Sequence, residues 1–483
     1  MRLRSAKAVW ILLVSSAGFL AARADTIVLK NGRQIVVDRA TESGDRVTGE
    51  TSAGEISLPK SMVARIDRSP DPQSQPIRSG PATDTLPIAA PASIQAESED
   101  PAVIRGTVHD GSIDRGYIAH LEQEALSGDP AAAHRAALAH YVAGQFEITK
   151  GNADGAMQQE LQALHFQPES LQLLVNVAYA YLHTSEYSTA RGYLERAKRI
   201  SPDSADVARL MGWADYGLNR IPEAVKEWKR AQELQPDPEV SKALEKAERD
   251  ARAESGFREG QTTHFVIRYT GSAAPLLAGE ILHALEIHFE QISALLDYTP
   301  PDPIGVILYT DQQFQDITRA PAWAGAINDG RIRVPIRGLD SVTDELSRQL
   351  RHELTHSFLQ QKTRGRCPVW VQEGVAQWME GRRVEGEAQA LLAAYDHQTA
   401  IPLRTLEISW MQLSGTGAAF AYGWSLGAVE AILDKGGMND LTRLLDAFAG
   451  GSSPETALQN VLHANYAELD QLTADYLRRT YGR

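Results

Sequence analysis

The sequence is poor in cysteine: its 483 residues contain one, Cys367. An intramolecular disulfide is therefore excluded, which is ordinary for a bacterial periplasmic protein and unusual for a eukaryotic secreted protein of this size. Basic charge is also in deficit, with 48 Lys and Arg against 62 Asp and Glu, so the formal net charge is −14. This balance favours solubility and argues against nucleic acid as a partner.

Long apolar runs are scarce, and the longest lies in residues 1–24, which have the pattern of a secretory signal peptide. A basic start, an apolar centre and a small-residue cleavage site follow one another at 2–7, 9–20 and 22–24. The apolar centre is shorter than the roughly 20 residues that span a bilayer. The alternative is that the segment is not cleaved and serves as a membrane anchor. We therefore expect a periplasmic or secreted bacterial protein with no stable membrane span after cleavage.

Aromatic residues are absent from residues 25–105. Residues 25–68 contain short apolar runs typical of strands, and Asn31-Gly32 between two of these runs indicates a hairpin. We predict a small all-β module there, with an interaction or anchoring role. Residues 69–105 carry seven prolines, and such a composition cannot bury a core. We predict a disordered, proline-rich linker over that segment.

Residues 106–254 carry a 34-residue period. Proline and alanine recur at this spacing in three registers, which are Pro168, Pro202 and Pro236, then Ala156, Ala190 and Ala224, then Ala163, Ala197 and Ala231. Small residues where helices cross, with proline at the boundary, resemble tetratricopeptide (TPR) repeats. The resemblance implies an α-helical solenoid of about three repeats and a capping helix at 238–254. The concave face of such a solenoid commonly binds peptides or protein segments.

One pentapeptide has the spacing of a metal site, His352-Glu353-Leu354-Thr355-His356. Residues i and i+4 share one face of a helix, so both imidazoles can reach the same metal ion. Glu353 lies about 100° around the helix from His352 and can take a proton from the attacking water. Residues 341–363 lack glycine and proline and carry an apolar stripe at helical spacing. The alternative is an ordinary helix with two exposed histidines.

A catalytic zinc needs a third protein ligand. Gly365 and Pro368 break the first helix, and residues 370–379 have the pattern of a second short helix. A tight reversal would place Glu373 opposite the two histidines, with Gly374 and Ala376 letting the two helices approach closely. Glu373 is therefore the predicted third ligand, and a surface carboxylate is the alternative.

The pattern H-E-x-x-H followed by W-x-x-E-G-x-A at 370–376 resembles the gluzincin peptidases, and most closely the bacterial peptidase MA-like domains. The resemblance covers about residues 261–483. It implies an α+β, zincin-like peptidase domain in which His352, His356 and Glu373 bind Zn²⁺. It also implies that Glu353 is the general base.

Two supporting roles also have candidate residues. Tyr422 resembles the oxyanion donor of gluzincin aminopeptidases, and a plain core position is the alternative. Tyr395 and His397 are substitutes for that donor. Gln377, one turn beyond the predicted third ligand, is a candidate outer-shell partner of a ligand histidine.

The residues before the metal motif bear on the kind of peptidase. Residues 331–335 combine alternating arginines with Pro335, which predicts an edge strand. In gluzincins such a strand borders the cleft and pairs with extended substrate. Residues 325–329 faintly echo the G-A-M-E-N motif of aminopeptidases, with Asn328 in place of the glutamate that grips a free amino terminus. This departure favours an endopeptidase.

Together these patterns predict a multidomain protein with a small all-β module, an α-helical TPR solenoid and an α+β gluzincin peptidase domain. The leading hypothesis is a zinc-dependent peptidase whose repeats recruit a protein substrate or partner. The alternative is a TPR scaffold with a catalytically silent peptidase-like domain used for binding. We predict that deletion of residues 106–250 spares cleavage of short peptides and weakens cleavage of the protein target. The alternative is that the repeats only support the peptidase fold, in which case cleavage of short peptides is lost as well.

Overall fold

The computed structural model describes most of the chain between residues 25 and 482. The positions outside the description are 1–24, 30–33, 38, 44–45, 52–53, 68–99, 151, 271–274, 311–312, 315–325, 337–338, 409, 411–412, 414 and 483. The predicted signal peptide and most of the predicted linker are among them. The chain divides into two compact units, Met1–Pro76 and Ile77–Arg483.

The first unit contains short strands arranged in two three-stranded sheets. The strands are β1 (Asp25–Leu29), β2 (Gln34–Val37), β3 (Arg39–Ser43), β4 (Arg46–Thr51), β5 (Gly54–Pro59) and β6 (Val63–Asp67). Their orders are β2-β1-β6 and β3-β4-β5, with antiparallel neighbours throughout. Ile27 lies opposite Ile35 in the antiparallel pairing of β1 with β2, and the predicted turn at Asn31-Gly32 lies outside the described residues.

The second unit begins with helices that pack as successive antiparallel pairs. They are α1 (Pro101–Thr107), α2 (Arg115–Ala125), α3 (Pro130–Thr149), α4 (Ala153–Phe166), α5 (Leu171–His183), α6 (Tyr187–Ile200), α7 (Ala205–Gly217), α8 (Ile221–Leu234) and α9 (Pro238–Ala253). A two-residue hairpin, β7 (Val108–His109) with β8 (Ser112–Ile113), joins α1 to α2. Because α1 begins at Pro101, residues 101–105 are helical rather than part of the predicted linker. Each 34-residue period holds one helix pair, and α9 follows the last pair.

Small residues lie where these helices cross. The periodic alanines are at most 5% exposed, and they are Ala156, Ala163, Ala190, Ala197, Ala224 and Ala231. In the third pair, a Cβ on Gly212 would lie 2.3 Å from Nε1 of Trp228, so a side chain there would displace the indole. That indole donates from Nε1 to the Arg209 carbonyl at 3.1 Å. The period seen in the sequence is therefore the period of the helix crossings.

A five-stranded sheet follows the repeats. Its strands are β9 (Arg258–Gln261), β10 (Phe265–Tyr269), β11 (Ile304–Tyr309), β12 (Ile327–Asn328) and β13 (Ile332–Pro335), in the order β12-β13-β11-β10-β9. The three inner strands are parallel, and β9 and β12 are antiparallel edges. Helix α10 (Pro275–Leu296) connects β10 to β11 and packs against the sheet.

Different elements cover the two faces of this sheet. One face joins α10 in the main core through Ile304, Val306 and Leu308. The other face meets the end of the repeats, where the hydroxyl of Tyr309 donates to Oε1 of Glu254 at 3.2 Å. On the same face, a Cβ on Gly305 would lie 3.1 Å from Cγ of Asn219, which follows α7. The repeats and the sheet are therefore packed together in one unit.

The edge-strand prediction for residues 331–335 is wrong. Strand β13 lies between β11 and the short β12, and β12 is the edge. Arg331 and Arg333 are each 1% exposed because carboxylates from α9 and from Asp329 neutralise them. A charged residue in a strand indicates exposure only where no opposite charge is buried beside it.

The chain ends in a group of helices. They are α11 (Asp344–Lys362), α12 (Val369–Met379), α13 (Ala388–Asp396), α14 (Gly415–Ala449, kinked at Gly437), α15 (Pro454–Leu462) and α16 (Tyr466–Tyr481). A Cβ on Gly374 would lie 2.4 Å from the Ser425 carbonyl, so this glycine serves the crossing of α12 with α14 rather than with α11. No helix within the described residues has the length and apolarity needed to cross a membrane.

Candidate metal centre

Helix α11 places two histidines on one buried face. Thr343 caps the helix by accepting from the Leu346 amide at 3.1 Å. The apolar stripe of the helix packs into the main core through Leu346, Leu350, Leu354 and Phe358. His352 and His356 are each 3% exposed, so the alternative of two exposed histidines is wrong. Two imidazoles that are buried away from water need polar partners.

A tight reversal brings a third donor to them. Arg364 and Gly365 have φ of 55° and 71°, and the Gly365 amide donates to the Gln360 carbonyl at 2.8 Å. This left-handed ending stops α11, and α12 starts directly after Pro368. Glu373, on the second turn of α12, is 1% exposed and faces both histidines. The structure thus brings His352, His356 and Glu373 together as the sequence predicts.

The three ligand atoms have the spacing of a metal site. Nε2 of His352 and Nε2 of His356 lie 3.1 Å apart. Oε2 of Glu373 lies 3.7 Å from Nε2 of His352, and Oε1 of Glu373 lies 3.8 Å from Nε2 of His356. Ligand atoms at tetrahedral angles around zinc are about 3.3–3.4 Å apart, given bond lengths near 2.0–2.1 Å. The three residues form a buried group that can hold a metal ion.

An unsatisfied polar atom supports the same fit. Within the described residues, Oε2 of Glu373 is buried without a hydrogen-bond partner. A metal ion would compensate the buried carboxylate, and such uncompensated groups are costly in a protein interior. Two nitrogens and one carboxylate oxygen are also the donor set of catalytic zinc sites that keep one position open for water.

The two histidines differ in protonation. Burial would lower the pKa of His352, but the Glu380 and Glu373 carboxylates outweigh it and raise that pKa well above its usual range. Burial and the nearby charge of His352 hold the pKa of His356 well below its usual range. Burial raises the pKa of Glu373, and His352 partly opposes the shift. His356 is thus in the neutral form that binds a metal.

Glu353, the predicted general base, is fully buried beside this group. Its charge contributes to the raised pKa of His352, so the carboxylate is close enough to act on the ring. Its main-chain carbonyl accepts from Nδ2 of Asn328 at 2.8 Å, and the same nitrogen donates to Oγ of Ser357 at 2.6 Å. The side chain of Asn328 is therefore directed into α11.

Sequence reasoning missed the outer partner of His352. Oε2 of Glu380 lies 3.1 Å from Nδ1 of His352, on the ring nitrogen that does not face the other ligands. Glu380 comes seven residues after Glu373, two turns along the same helix face, and that spacing is the signal that could have identified it. The candidate Gln377 instead donates from Nε2 to the carbonyls of Glu373 and Tyr422, at 3.1 and 2.9 Å.

The three candidate oxyanion donors have different surroundings. Tyr422 is 7% exposed, and its ring meets Trp410 edge-on with centroids 5.2 Å apart. The hydroxyl of Tyr395 donates to Oε1 of Gln471 at 3.0 Å. His397 is exposed at the end of α13. Tyr422 stays the preferred candidate because it is buried and its carbonyl bonds to the helix that carries Glu373.

Comparison with protein families gives one match. Residues 290–478 match the model of the Peptidase MA superfamily, and this range lies inside the predicted peptidase domain. Members of this superfamily are typically zinc-dependent. No curated protein matches the chain.

Comparison with solved structures gives tetratricopeptide domains. The first TPR domain of the human RPAP3 protein is 23% identical, with a TM-score of 0.23, and covers 24% of this chain and 93% of its own. The first TPR of Spaghetti (RPAP3), bound to the HSP90 peptide SRMEEVD, is 22% identical, with a TM-score of 0.24, and covers 25% and 95%. The Arabidopsis OM64 TPR domain is 18% identical, with a TM-score of 0.23, and covers 24% and 96%.

The predicted resemblance is confirmed at the level of architecture. The chain combines TPR-like helical repeats with a peptidase MA-like domain that holds a buried His-His-Glu group.

Proposed function

We propose that the protein is a zinc-dependent peptidase, more specifically an endopeptidase. The observation that carries the proposal is the buried group of His352, His356 and Glu373, whose ligand atoms all lie within 4.8 Å of one another. Bound there, Zn²⁺ supplies Lewis acidity and lowers the pKa of a water molecule. These three side chains would hold the ion, and Glu380 orients the ring of His352.

Glu353 supplies the proton transfers of the proposed reaction. Its carboxylate takes a proton from the water as that water attacks the peptide carbonyl, and it then gives the proton to the leaving amine. Tyr422 is proposed as the hydrogen-bond donor to the oxyanion that forms on the former carbonyl oxygen. Burial of the site excludes bulk water and strengthens these interactions.

The geometry of Asn328 supports endopeptidase activity. An aminopeptidase of this type would need a carboxylate at that position to bind the free amino terminus of the substrate. Nδ2 of Asn328 is instead directed at the Glu353 carbonyl and Ser357, and Oδ1 accepts from the Gly330 amide at 3.1 Å. With no charge and both polar atoms engaged, this side chain does not suit capture of an amino terminus.

The experiment that tests catalysis compares Glu353→Gln with wild type on a library of peptides with blocked termini. The amide cannot accept the proton of the water, so we expect the rate to fall by at least about a hundredfold. Zinc content should stay unchanged. The exposed Glu385→Gln variant is the matched control and should cleave like wild type.

Two outcomes would count against this proposal. Cleavage by Glu353→Gln at the wild-type rate would remove Glu353 from the reaction. Stoichiometric zinc without hydrolysis of any peptide by wild type would favour the second candidate function, a TPR scaffold with a catalytically silent peptidase-like domain. Retention of all three ligand types and the acid–base residue favours the enzyme.

We further propose a setting for this activity. Residues 1–24 direct export to the periplasm, residues 25–68 form an all-β interaction or anchoring module, and a linker that ends before α1 tethers it. The repeats at 106–254 bind a protein substrate or partner on their concave face, next to the peptidase domain at 261–483. Mass spectrometry of the protein from the periplasmic fraction tests this. A mass that corresponds to a chain starting at Asp25 would support export, and the full-length mass, found in the cytoplasm, would contradict it.

A further inference from the structure

Charged side chains are buried together where α9 meets the hairpin of β12 and β13. We name this group the α9–hairpin cluster; its members are 1% to 16% exposed and are Lys246, Asp250, Glu254, Asp329, Arg331 and Arg333. Three are cations and three are carboxylates, so their charges balance. Removing one partner of a buried pair is strongly destabilising, because it leaves a charge without compensation.

The end of α9 holds two arginines, Arg331 just before β13 and Arg333 within it. Oδ2 of Asp250 accepts from Arg331 at 2.6 Å and from Arg333 at 3.0 Å. Oε1 of Glu254 accepts from Arg331 at 2.8 Å. Burial and Arg333 would lower the pKa of Arg331, but Asp250 and Glu254 outweigh them and raise it. The guanidinium groups therefore stay charged in their contacts with Asp250 and Glu254.

Asp329, in the turn of the hairpin, forms an ion pair with Lys246 of α9. Its Oδ2 lies 2.8 Å from Nζ of Lys246, and its Oδ1 accepts from Nε of Arg333 at 2.9 Å. Burial would raise the pKa of Asp329, but Arg333 and Lys246 outweigh it and lower that pKa. This carboxylate thus ties the repeat array to the turn that follows β12.

The preceding residue ties the same hairpin to the metal helix. Asn328, the last residue of β12, contacts α11, whereas Asp329 in the turn after it contacts α9. Nδ2 of Asn328 donates to the Glu353 carbonyl at 2.8 Å and to Ser357 at 2.6 Å. The hairpin is consequently held from two sides, by α9 through Asp329 and by α11 through Asn328.

We infer that Lys246, on the last helix of the repeat array, is a positioning residue for the peptidase reaction. It acts through Asp329 and Asn328, which together fix the hairpin against the carbonyl of Glu353. The inference rests on the proposed function, in which Glu353 moves the proton. A misplacement of about 1 Å can cost about a hundredfold in rate, so loss of this contact should slow the chemical step.

The kinetic test uses three substitutions on α9. Lys246→Met keeps the aliphatic stem and loses the charge, and Lys246→Arg keeps the charge. Lys242→Met is the matched control, because Lys242 is 65% exposed and pairs with Glu239 one turn away. With the blocked peptide library as probe, Lys246→Met should lose about ten- to a hundredfold in kcat, with KM within about twofold of wild type. Lys246→Arg should recover most of this loss, and Lys242→Met should show none.

A double-mutant cycle tests whether Lys246 acts through Asn328. If the two residues act in series, Lys246→Met combined with Asn328→Ala should be no slower than Asn328→Ala alone. Multiplication of the two single losses would show independent effects and overturn the inference. A rise in KM at unchanged kcat in Lys246→Met would also overturn it.

Hydrogen exchange separates this inference from the proposed function, because it needs no activity. With Zn²⁺ added, Lys246→Met should exchange faster than wild type in peptides covering 326–336 and 350–358, and equally in 441–448. If this exchange pattern were found and wild type cleaved no peptide, the contact of Lys246 with the hairpin would be supported and the proposed function would be rejected. Unchanged exchange at the hairpin and α11, or a rise of equal size in all three segments, would overturn the inference.

Discussion

The ring of His352 is oriented by one carboxylate, Glu380, on the side away from the other ligands. Outer partners of this kind fix the tautomer and direction of a ligand histidine, and their loss typically costs ten- to a hundredfold in metal affinity. Glu380→Gln should therefore weaken zinc binding by about ten- to a hundredfold. Competition with a chromophoric chelator measures the affinity, and the exposed Glu385→Gln is the control. The same affinity in both variants would mean that Glu380 does not serve the site.

Local spacing in the sequence was sufficient to predict the central group. The pair His352 and His356 follows from helical periodicity, and Glu373 from a helix break followed by a second motif. The outer residues were harder to predict because their partners are set by side-chain reach rather than by spacing. Gln377 was the nearer choice on the helix, yet Glu380 makes the contact with His352.

One repeat helix carries a buried carboxyl group where its neighbours carry apolar side chains. Glu160 on α4 is 5% exposed, and the positions 34 and 68 residues later are the fully buried Leu194 and Trp228. Its Oε1 accepts from Gln145 at 3.4 Å, and its Oε2 is without a hydrogen-bond partner in the described part of the chain. Burial raises the pKa of Glu160 to about 7, although Gln145 and Asn176 oppose the shift.

This raised pKa predicts a pH-dependent stability. The folded state binds the proton more tightly than the unfolded state, so stability falls as pH rises from about 4.5 through about 7. Glu160→Gln removes the charge and should match wild type near pH 4 but melt a few degrees higher at pH 8, as a gain on the order of 1–3 kcal/mol implies. Thermal melts followed by circular dichroism measure this, with the exposed Glu169→Gln as control. If Glu160→Gln melted at the same temperature as wild type at pH 8, the prediction would be contradicted.

At the scale of elements, the sequence predicted the helices better than the sheet. Periodic small residues such as Ala190 and Ala224 mark helix crossings, because each repeat solves the same packing problem. Strand β13 was misjudged because Arg331 and Arg333 suggest exposure when only their own segment is considered. Their counter-charge Asp250 comes from a helix about 80 residues earlier, and no local pattern shows that pairing.

Across the whole second unit, each repeat contacts the peptidase domain. In the first repeat, Asp154 pairs with Arg364, in the turn between α11 and α12, at 2.6 Å. In the second repeat, the Ser188 amide donates to Oδ2 of Asp302 at 3.0 Å. Asp302 thereby caps the start of α6, which has no side-chain cap from its own N-cap residue. The third repeat contributes Asn219 to the face of the sheet. These contacts favour a supporting role for the repeats over a purely recruiting one.

Deletion of residues 106–250 should therefore abolish cleavage of short peptides as well as of protein targets. It removes Lys246 and Asp250 and uncovers one face of the sheet, so the remainder should lose its cooperative melt by circular dichroism. The matched control is the full chain under the same conditions. A truncated protein that melts cooperatively and cleaves short peptides at the wild-type rate would show that the repeats serve recruitment alone.

The most direct test of the account is the zinc content of purified residues 25–483, measured by mass spectrometry of the metal after extensive dialysis. The account predicts one zinc ion per chain in wild type and in Glu353→Gln. It predicts less than stoichiometric zinc in His352→Ala and in His356→Ala, each confirmed as folded by circular dichroism, because two protein ligands do not make a stable zinc site. Wild type without zinc, or both histidine variants with one zinc per chain, would contradict the account.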